Sequence, residues 1–460
     1  MKFITKTLTV AAVIAMGHTA FAANNVYVSG SSAFRKAVLT QLGTAGAVFD
    51  AAPTEAYAGT DPVGATFANF TGLVGGVSTT VKVSFTGSAG GIFTVAHNGD
   101  ATPPKAIFLA DGASGSGLAN PTTVTGDVHL VDMALSDAYQ SSSVFPTPGI
   151  TTDSLVGVVT FKWCGNYSLA QNSASGTAIT DITAQGAKAI FSGASLTNAA
   201  ILTGSTNAAD KTILVVAEGR DFDSGTRINA FADTGVGTTT SPVQLQPFLN
   251  ATVTGTVGSG GTNDYIGTPQ ATTVPGATDQ FVTKLRKWNN NASYPLYNGT
   301  LTVPSVDGGF ASGGDLSKFM RCDTNNNAMK NYYNTTLKGQ LGYANNATGI
   351  YMVTYLGIGD AATLTNATGL GVGAGKELTY NGVTYSNNAI EQGKYTFWSY
   401  EHLFANDLST AGSAQATAVY NNLANTLTNN PDASENGAGL RLDQMIVNRA
   451  GDGGAIGFDF

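Results

Sequence analysis

The sequence has little charge, little cysteine and little histidine. Asp, Glu, Lys and Arg make up 11% of its 460 residues, and the formal net charge is −8. It contains 2 cysteines and 4 histidines, and no two histidines have the i, i+4 spacing of a helical metal site. It has no Walker loop and no Gly-x-Ser-x-Gly elbow. These absences argue against nucleic-acid binding, against a bound metal or cofactor, and against the commonest nucleotide-dependent and hydrolytic enzymes.

The sequence also lacks an apolar run long enough to cross a membrane. Lys2 and Lys6 flank the start of a short apolar stretch at residues 8–16, and Ala20-Phe21-Ala22 places small residues at a cleavage site. We therefore expect residues 1–22 to be a signal peptide and the mature protein to be periplasmic or extracellular.

Export to an oxidising compartment would favour a disulfide between the two cysteines. Cys164 and Cys322 are candidates for a disulfide, because paired cysteines in exported proteins are usually bridged. The mature chain, of about 440 residues, is long enough to form two lobes with their own cores.

Residues 220–226, Arg-Asp-Phe-Asp-Ser-Gly-Thr, carry the strongest functional signal. They follow the apolar strand pattern at 212–217 and precede a helical pattern at 227–232. The first turn of a helix has unpaired backbone N–H groups, a glycine allows close approach, and Arg220 offers a planar fork to two oxygens. This pattern is typical of an oxyanion site. A simple helix cap at Ser224, or an ion pair of Arg220 with Asp221 or Asp223, is the alternative.

Three other predicted strands end in the same kind of turn. The strand at 25–29 leads into Gly30-Ser31-Ser32-Ala33-Phe34, and the strand at 81–85 leads into a turn at 87–91. The strand at 128–131 leads to Leu135-Ser136-Asp137-Ala138. Such an alternation of strands and helices predicts an open α/β sheet that binds ligands at the strand ends. Ordinary turn chemistry at the serines, and an N-cap at Asp137, are the alternatives.

The remaining patterns predict further elements. They are strands at 154–161 and 349–355, an Asn-Gly hairpin at 379–385, and helices at 183–191, 280–288, 400–404 and 414–427. Residues 233–275 are rich in Gly, Thr and Ser and are expected to be loop with short strands.

In order and in sequence, the four turns resemble the phosphate-binding proteins of ABC phosphate transporters. The resemblance extends from about Tyr27 to about Tyr400. It implies a two-lobed type II periplasmic binding-protein fold, each lobe an open, mostly parallel sheet flanked by helices, with inserted β and loop segments. Lobe 1 would comprise residues 23–159 plus 346–460, and lobe 2 residues 160–345.

The resemblance also implies which residues contact the ligand. They are Ser31, Ser32, Ala33, Phe34, Ser88, Asp137, Arg220, Ser224, Gly225 and Thr226. Asp137 would accept the proton of monohydrogen phosphate, which sulfate lacks, and so reject sulfate. The sequence departs from the family at Phe222, where the resemblance expects Asp.

These inferences lead to one functional hypothesis and one rival. The hypothesis is a monomeric, non-enzymatic, exported protein that binds inorganic phosphate between two lobes and delivers it to an ABC permease. The rival is an exported structural or surface-interaction protein that keeps this fold but has a weakened anion site.

Overall fold

The computed structural model describes residues 24–458 apart from several gaps. The gaps are Thr86, Phe222 and Asp407, and residues 122–123, 167–168, 171–177, 193–196, 241–243, 249–281, 287–309, 311–312, 321–348, 367–373, 409–413 and 431–438. The expected signal peptide, Phe222 and Cys322 therefore lie outside the described residues, and the predictions made for them stay predictions.

The strands and helices alternate along much of the chain. The strands are β1 Asn24–Gly30, β2 Thr54–Ala58, β3 Phe67–Val74, β4 Val77–Ser84, β5 Ala106–Phe108, β6 Gly115–Leu118, β7 Asp127–His129, β8 Met133–Ser136, β9 Thr152–Gly165, β10 Asp181–Ile182, β11 Thr197–Asn198, β12 Ile213–Ala217, β13 Gln244–Phe248, β14 Val282–Arg286, β15 Gly349–Gly357, β16 Lys376–Tyr380, β17 Trp398–Ala405, β18 Gly439–Leu440, β19 Val447–Asn448 and β20 Gly457–Phe458. The α-helices are α1 Arg35–Gly43, α2 Ser88–Ala96, α3 Ala184–Phe191, α4 Ala200–Thr203, α5 Gly225–Asp233, α6 Gly313–Met320, α7 Ile358–Thr365, α8 Asn387–Glu391 and α9 Ala414–Asn429. None of these helices is long and apolar enough to cross a membrane.

Most of the strands join one mixed sheet with two parallel cores. Its main path through the described residues runs β14-β13-β12-β15-β9-β17-β8-β1-β4-β3-β2-β6. Strands β4, β1 and β8 are parallel to one another, as are β13, β12 and β15. The long strand β9 joins the cores, because it pairs antiparallel with β17 through residues 152–160 and with β15 through residues 161–165. This arrangement confirms the α/β class, with a large sheet flanked by helices.

The apolar character of the central strands explains their position. β12 consists of Ile, Leu, Val, Val and Ala, and all five residues are buried. A continuous apolar run suits a strand that is covered on both faces. Three strands lead through a short turn into a helix, as predicted: β1 into α1, β4 into α2 and β12 into α5. The two cores and the helices that cover them share a large hydrophobic cluster.

Three local predictions are wrong. Residues 400–404 belong to β17, which lies between β8 and β9 and is buried along its whole length. Aromatic residues at Tyr400 and Phe404 match helical spacing, but a fully buried strand shows the same apolar density. Residues 282–286 form β14, which pairs with β13 rather than forming a helix. The strand before Asp137 is β8, since β7 pairs with β5 in a small separate sheet.

Other predictions are confirmed. Helices α3 and α9 lie where the pattern placed them, and the side chain of Thr183 caps α3 by accepting from Gly186 N–H at 2.9 Å. The hairpin turn is built from Asn381 and Gly382, whose φ angles of 52° and 78° suit an Asn-Gly turn. Strand β15, which follows the predicted lobe boundary at 345, pairs with β12, and the boundary itself stays a prediction.

Candidate anion site

A cavity of about 250 Å³ lies where three helices begin. Its walls come from the first turns of α1, α5 and α7 and from the middle of β9. The polar side chains that line it are those of Ser32, Arg35, Lys36, Asp61, Thr160, Arg220, Thr226 and Asp360. Three of these are cationic and two are carboxylates, so the cavity has a positive balance although the whole chain is acidic.

Two of the three helices begin at the cavity without a side-chain cap. The residue before α1 is Phe34 and the residue before α7 is Gly357, and neither caps its helix through a side-chain hydrogen bond. Backbone N–H groups in the first turn of a helix have no intrahelical acceptor, and the helix dipole makes this end attractive to anions. The arrangement can therefore stabilise a bound anion at two helix ends.

The third helix, α5, is capped by its own sequence. The hydroxyl of Ser224 accepts a hydrogen bond from Arg227 N–H at 3.3 Å. Ser224 thus has the capping role that the sequence left open. Thr226, in the first turn of the same helix, lines the cavity.

Arg220 follows β12 and is 5% exposed. Its Nε donates to the carbonyl oxygen of Phe310 at 3.0 Å, and its backbone N–H donates to the Tyr355 hydroxyl at 3.2 Å. These contacts fix the orientation of the guanidinium, which lines the cavity. An oriented guanidinium is well suited to bind two oxygens of one anion.

Ser88 and Asp137 meet beside the cavity rather than inside it. The Ser88 hydroxyl is hydrogen-bonded to the Asp137 carboxylate, and both side chains are buried. Gly225 covers them: a Cβ at this position would overlap Asp137 and would lie 2.6 Å from Ser88 Oγ. We call this contact of Gly225 with Ser88 and Asp137 the seam. Only a glycine allows the backbone of α5 to approach the pair so closely.

Asp137 does not cap a helix, so that alternative is wrong. It follows β8, and no α-helix begins at Ala138. Its backbone carbonyl accepts hydrogen bonds from the side chains of Ser399, at 2.6 Å, and Asn229. Burial raises the pKa of the Asp137 carboxyl, while the Ser88 hydrogen bond and the nearby Arg220 charge oppose that rise.

The predicted turn at 87–91 is occupied by the protein's own carboxylate. This turn begins α2, and the Gly90 N–H donates to the Asp223 carboxylate. Ala89 N–H also donates to the backbone carbonyl of Asp223, at 3.1 Å. The loop that leads into α5 therefore supplies the negative charge that the first turn of α2 attracts.

The structure brings together part of the predicted set. Ser32, Ala33, Arg220 and Thr226 line the cavity, whereas Ser88, Asp137 and Gly225 form the seam. The Phe34 side chain is fully buried in the hydrophobic cluster, so only its backbone can face a ligand. The Ser31 hydroxyl is buried and lies beside the carboxyl group of Glu401 rather than in the cavity lining. Cys164 is buried, and its pairing with Cys322, which lies outside the described residues, stays a prediction.

Sequence reasoning missed several residues of the site. Arg35 and Lys36, an adjacent basic pair in a weakly charged sequence, follow the first predicted turn directly and could have been included. Asp61 and Asp360 carry no such signal, because the strands and helices that bring them to the cavity are distant along the chain. Asn229 was hidden inside a helical pattern.

Comparison with known proteins gives distant structural likeness only. No family model matches the sequence, and no curated protein matches it. A Clostridium perfringens protein assigned to phosphate ABC transport and solved with bound phosphate is similar at 10% identity and a TM-score of 0.35, covering 91% of this chain and 100% of its own. A phosphate transport receptor from Vibrio cholerae is similar at 10% identity and a TM-score of 0.35, covering 88% of this chain and 98% of its own.

A third solved structure, PstS from Borrelia burgdorferi, is similar at 10% identity and a TM-score of 0.32, covering 89% of this chain and 97% of its own. These structures are of proteins from the family that the four turns resemble. Likeness at this identity and TM-score assigns no ligand to this chain.

Proposed function

We propose that the mature protein is an exported, non-enzymatic solute-binding protein that binds inorganic phosphate and delivers it to an ABC permease. One observation carries the proposal: Arg35, Lys36 and Arg220 surround a cavity at which α1 and α7 begin without side-chain caps. Oriented N–H groups and a guanidinium that already point at one space bind an oxyanion without reorganisation.

The size of the cavity suits a small tetrahedral anion. Its volume of about 250 Å³ lies below the roughly 300–1,000 Å³ of pockets that hold drug-sized ligands. A tetrahedral oxyanion and a few bridging waters fill such a space.

The carboxylates at the site favour a ligand that carries a proton. Asp61 and Asp360 line the cavity, and Asp137 lies behind the seam. A carboxylate next to a bound anion is tolerated when the anion donates a hydrogen bond to it, as monohydrogen phosphate does and sulfate does not. We propose that ligand binding parts the seam, so that Ser88, Asp137 and Gly225 become direct contacts.

Thermal melting with two anions tests this proposal. A ligand that binds only the native state raises its stability by RT ln(1 + [L]/Kd), or about 2.7 kcal/mol at 100 times Kd. We expect millimolar phosphate to raise the melting temperature of the mature protein, and sulfate at the same ionic strength to leave it unchanged. An unchanged melting temperature in phosphate would contradict the transport function.

One observation favours the rival function, an exported structural or surface-interaction protein with a weakened anion site. The Asp223 carboxylate already occupies the first turn of α2, which the family resemblance assigns to the ligand. Under this rival, neither phosphate nor sulfate stabilises the protein, and Asp223→Asn does not restore a response to phosphate.

A further inference from the structure

Glu401 is a carboxyl group buried at the centre of the sheet. It lies on β17, is 0% exposed, and the Ser31 hydroxyl is the one hydrogen-bonding side chain that opposes its burial among the described residues. A buried ionised carboxylate is normally paired with a cation or with several donors, because the loss of hydration is costly. Glu401 therefore needs another explanation.

The strand register places Glu401 beside Asp137. Strands β17 and β8 are antiparallel, with His402 opposite Ser136, so the next position in the same register sets Glu401 opposite Asp137. Directly opposed residues on antiparallel strands project from the same face, with Cβ atoms about 5 Å apart. The pairing of β17 with β9 also shifts register between Glu401 and His402, an irregularity that often occurs next to functional sites.

Two buried carboxyl groups this close do not both ionise at neutral pH, since each charge disfavours the other. We propose that Glu401 is a further residue of the binding site, a carboxylic acid that stays protonated beside Asp137 so that the pair carries one negative charge. The consequence for the ligand rests on the function proposed above: a single charge at Asp137 accepts the ligand's proton, whereas a second charge would repel the anion.

The surrounding charges decide which carboxyl keeps the proton. Burial and then the Asp137 charge raise the pKa of Glu401 well above its ordinary value, and the Ser31 hydroxyl opposes this only in part. The pKa of Asp137 is raised by burial but lowered by Ser88, Arg220 and His402. Among the described residues, the Asp137 charge also raises the pKa of Asp452.

Two neighbouring elements meet the pair through uncharged groups. Gly157 of β9 lies opposite Glu401, and α5 contributes the Asn229 amide to the Asp137 carbonyl. Arg220 and His402 thus favour the charge on Asp137, and the proton stays on Glu401.

The first test needs no ligand. The folded-state pKa of Glu401 lies above its ordinary value of 4.5, so the stability linked to this group is complete below that pH and is lost as the pH rises through the folded-state pKa. Glu401→Gln keeps the size and cannot ionise. We expect the variant to melt higher than the wild type at neutral pH, with a difference that shrinks toward acidic pH. A difference in melting temperature between the two proteins that stays the same at every pH would overturn the proposal. Glu55→Gln, at an exposed position of β2, is the matched control and should leave the pH dependence unchanged.

Infrared spectroscopy of the wild type covers the case in which Glu401→Gln fails to fold. A protonated buried carboxyl gives a carbonyl band at neutral pH that disappears at alkaline pH as the proton leaves to solvent. The absence of such a band at neutral pH would also overturn the proposal.

The second test adds inorganic phosphate over the alkaline range in which the infrared band of the wild type disappears. We expect the wild type to lose at least tenfold in affinity over this range and Glu401→Gln to lose much less. Equal losses would show that Glu401 does not act on the ligand. If phosphate binds neither protein, the proposed function fails, while the ligand-free melting curves still decide the protonation of Glu401.

Discussion

The carboxylate of Asp223 accepts a hydrogen bond from the backbone N–H of Gly90 at the start of α2. The two residues come from different parallel cores, because Gly90 follows β4 and Asp223 follows β12. One of the four turns that the sequence marks as anion-binding is therefore filled from within the chain. The contact also ties the loop before α5 to the opposite half of the sheet.

Asp223→Asn should lower the stability of the ligand-free protein. The variant keeps the shape but removes the charge from the helix end, and charge-assisted hydrogen bonds and helix-end charges contribute roughly 1–2 kcal/mol. Urea unfolding measures the loss. Asp443→Asn, at an exposed residue paired with Arg441, is the control and should leave the stability nearly unchanged. Equal effects of the two variants would show that the Asp223 charge at the start of α2 does not stabilise the protein.

Gly225→Ala should disrupt the seam. The added Cβ overlaps Asp137, so α5 must move away from the Ser88–Asp137 pair. Overpacking of this kind costs roughly 1–3 kcal/mol, and differential scanning calorimetry should show a lower melting temperature. Gly99→Ala is the matched control, because a Cβ at Gly99 meets no atom within 4 Å. A Gly225→Ala protein as stable as the control would contradict the described contact.

Asp137→Asn should weaken the discrimination between phosphate and sulfate. The carboxylate rejects an anion without a proton, whereas an amide offers N–H donors to either anion. We expect sulfate to stabilise the variant in thermal melts and not the wild type. An unchanged preference for phosphate would show that Asp137 does not cause the selectivity.

Asp452→Asn should make the stability of the protein depend less on pH in mildly acidic solution. Burial raises the pKa of Asp452 from 3.8 to about 6, although Tyr139 N–H donates to its carboxylate at 2.9 Å. The stability linked to Asp452 is therefore complete below pH 3.8 and is lost as the pH rises through about 6, an effect on the order of 3 kcal/mol. Denaturant unfolding between these pH values should show the loss in the wild type but not in the variant. The same slope in both proteins would refute this role.

Local pattern predicts the elements that form independently of their neighbours. Helix α3 is marked by its Thr183 cap, and β12 by a continuous apolar run. β17 could not be recognised, because its strand conformation comes from pairing with β8 and β9, far away in sequence. The adjacent ionisable residues Glu401 and His402 interrupt this apolar run, and they were the sequence signal for a buried ionisable site.

The candidate site was predictable in composition but not in arrangement. The strand–turn–helix pattern marks Ser32, Arg220 and Thr226, and all three line one cavity. Nothing in the sequence indicates that Asp223 fills the turn of α2, or that Gly225 covers Asp137. Both contacts depend on how the two halves of the sheet meet, which local pattern does not encode.

Isothermal titration of phosphate into the mature wild-type protein and into Arg220→Gln measures whether the protein binds phosphate through Arg220. Arg441→Gln, at an exposed arginine paired with Asp443, serves as the control. Loss of a charge-assisted pair costs about 1.5–3 kcal/mol, or roughly tenfold to a hundredfold in affinity. We expect one phosphate site in the wild type and in the control, and binding at least tenfold weaker in Arg220→Gln. No binding heat in the folded wild type, or equal affinity in Arg220→Gln, would contradict this expectation.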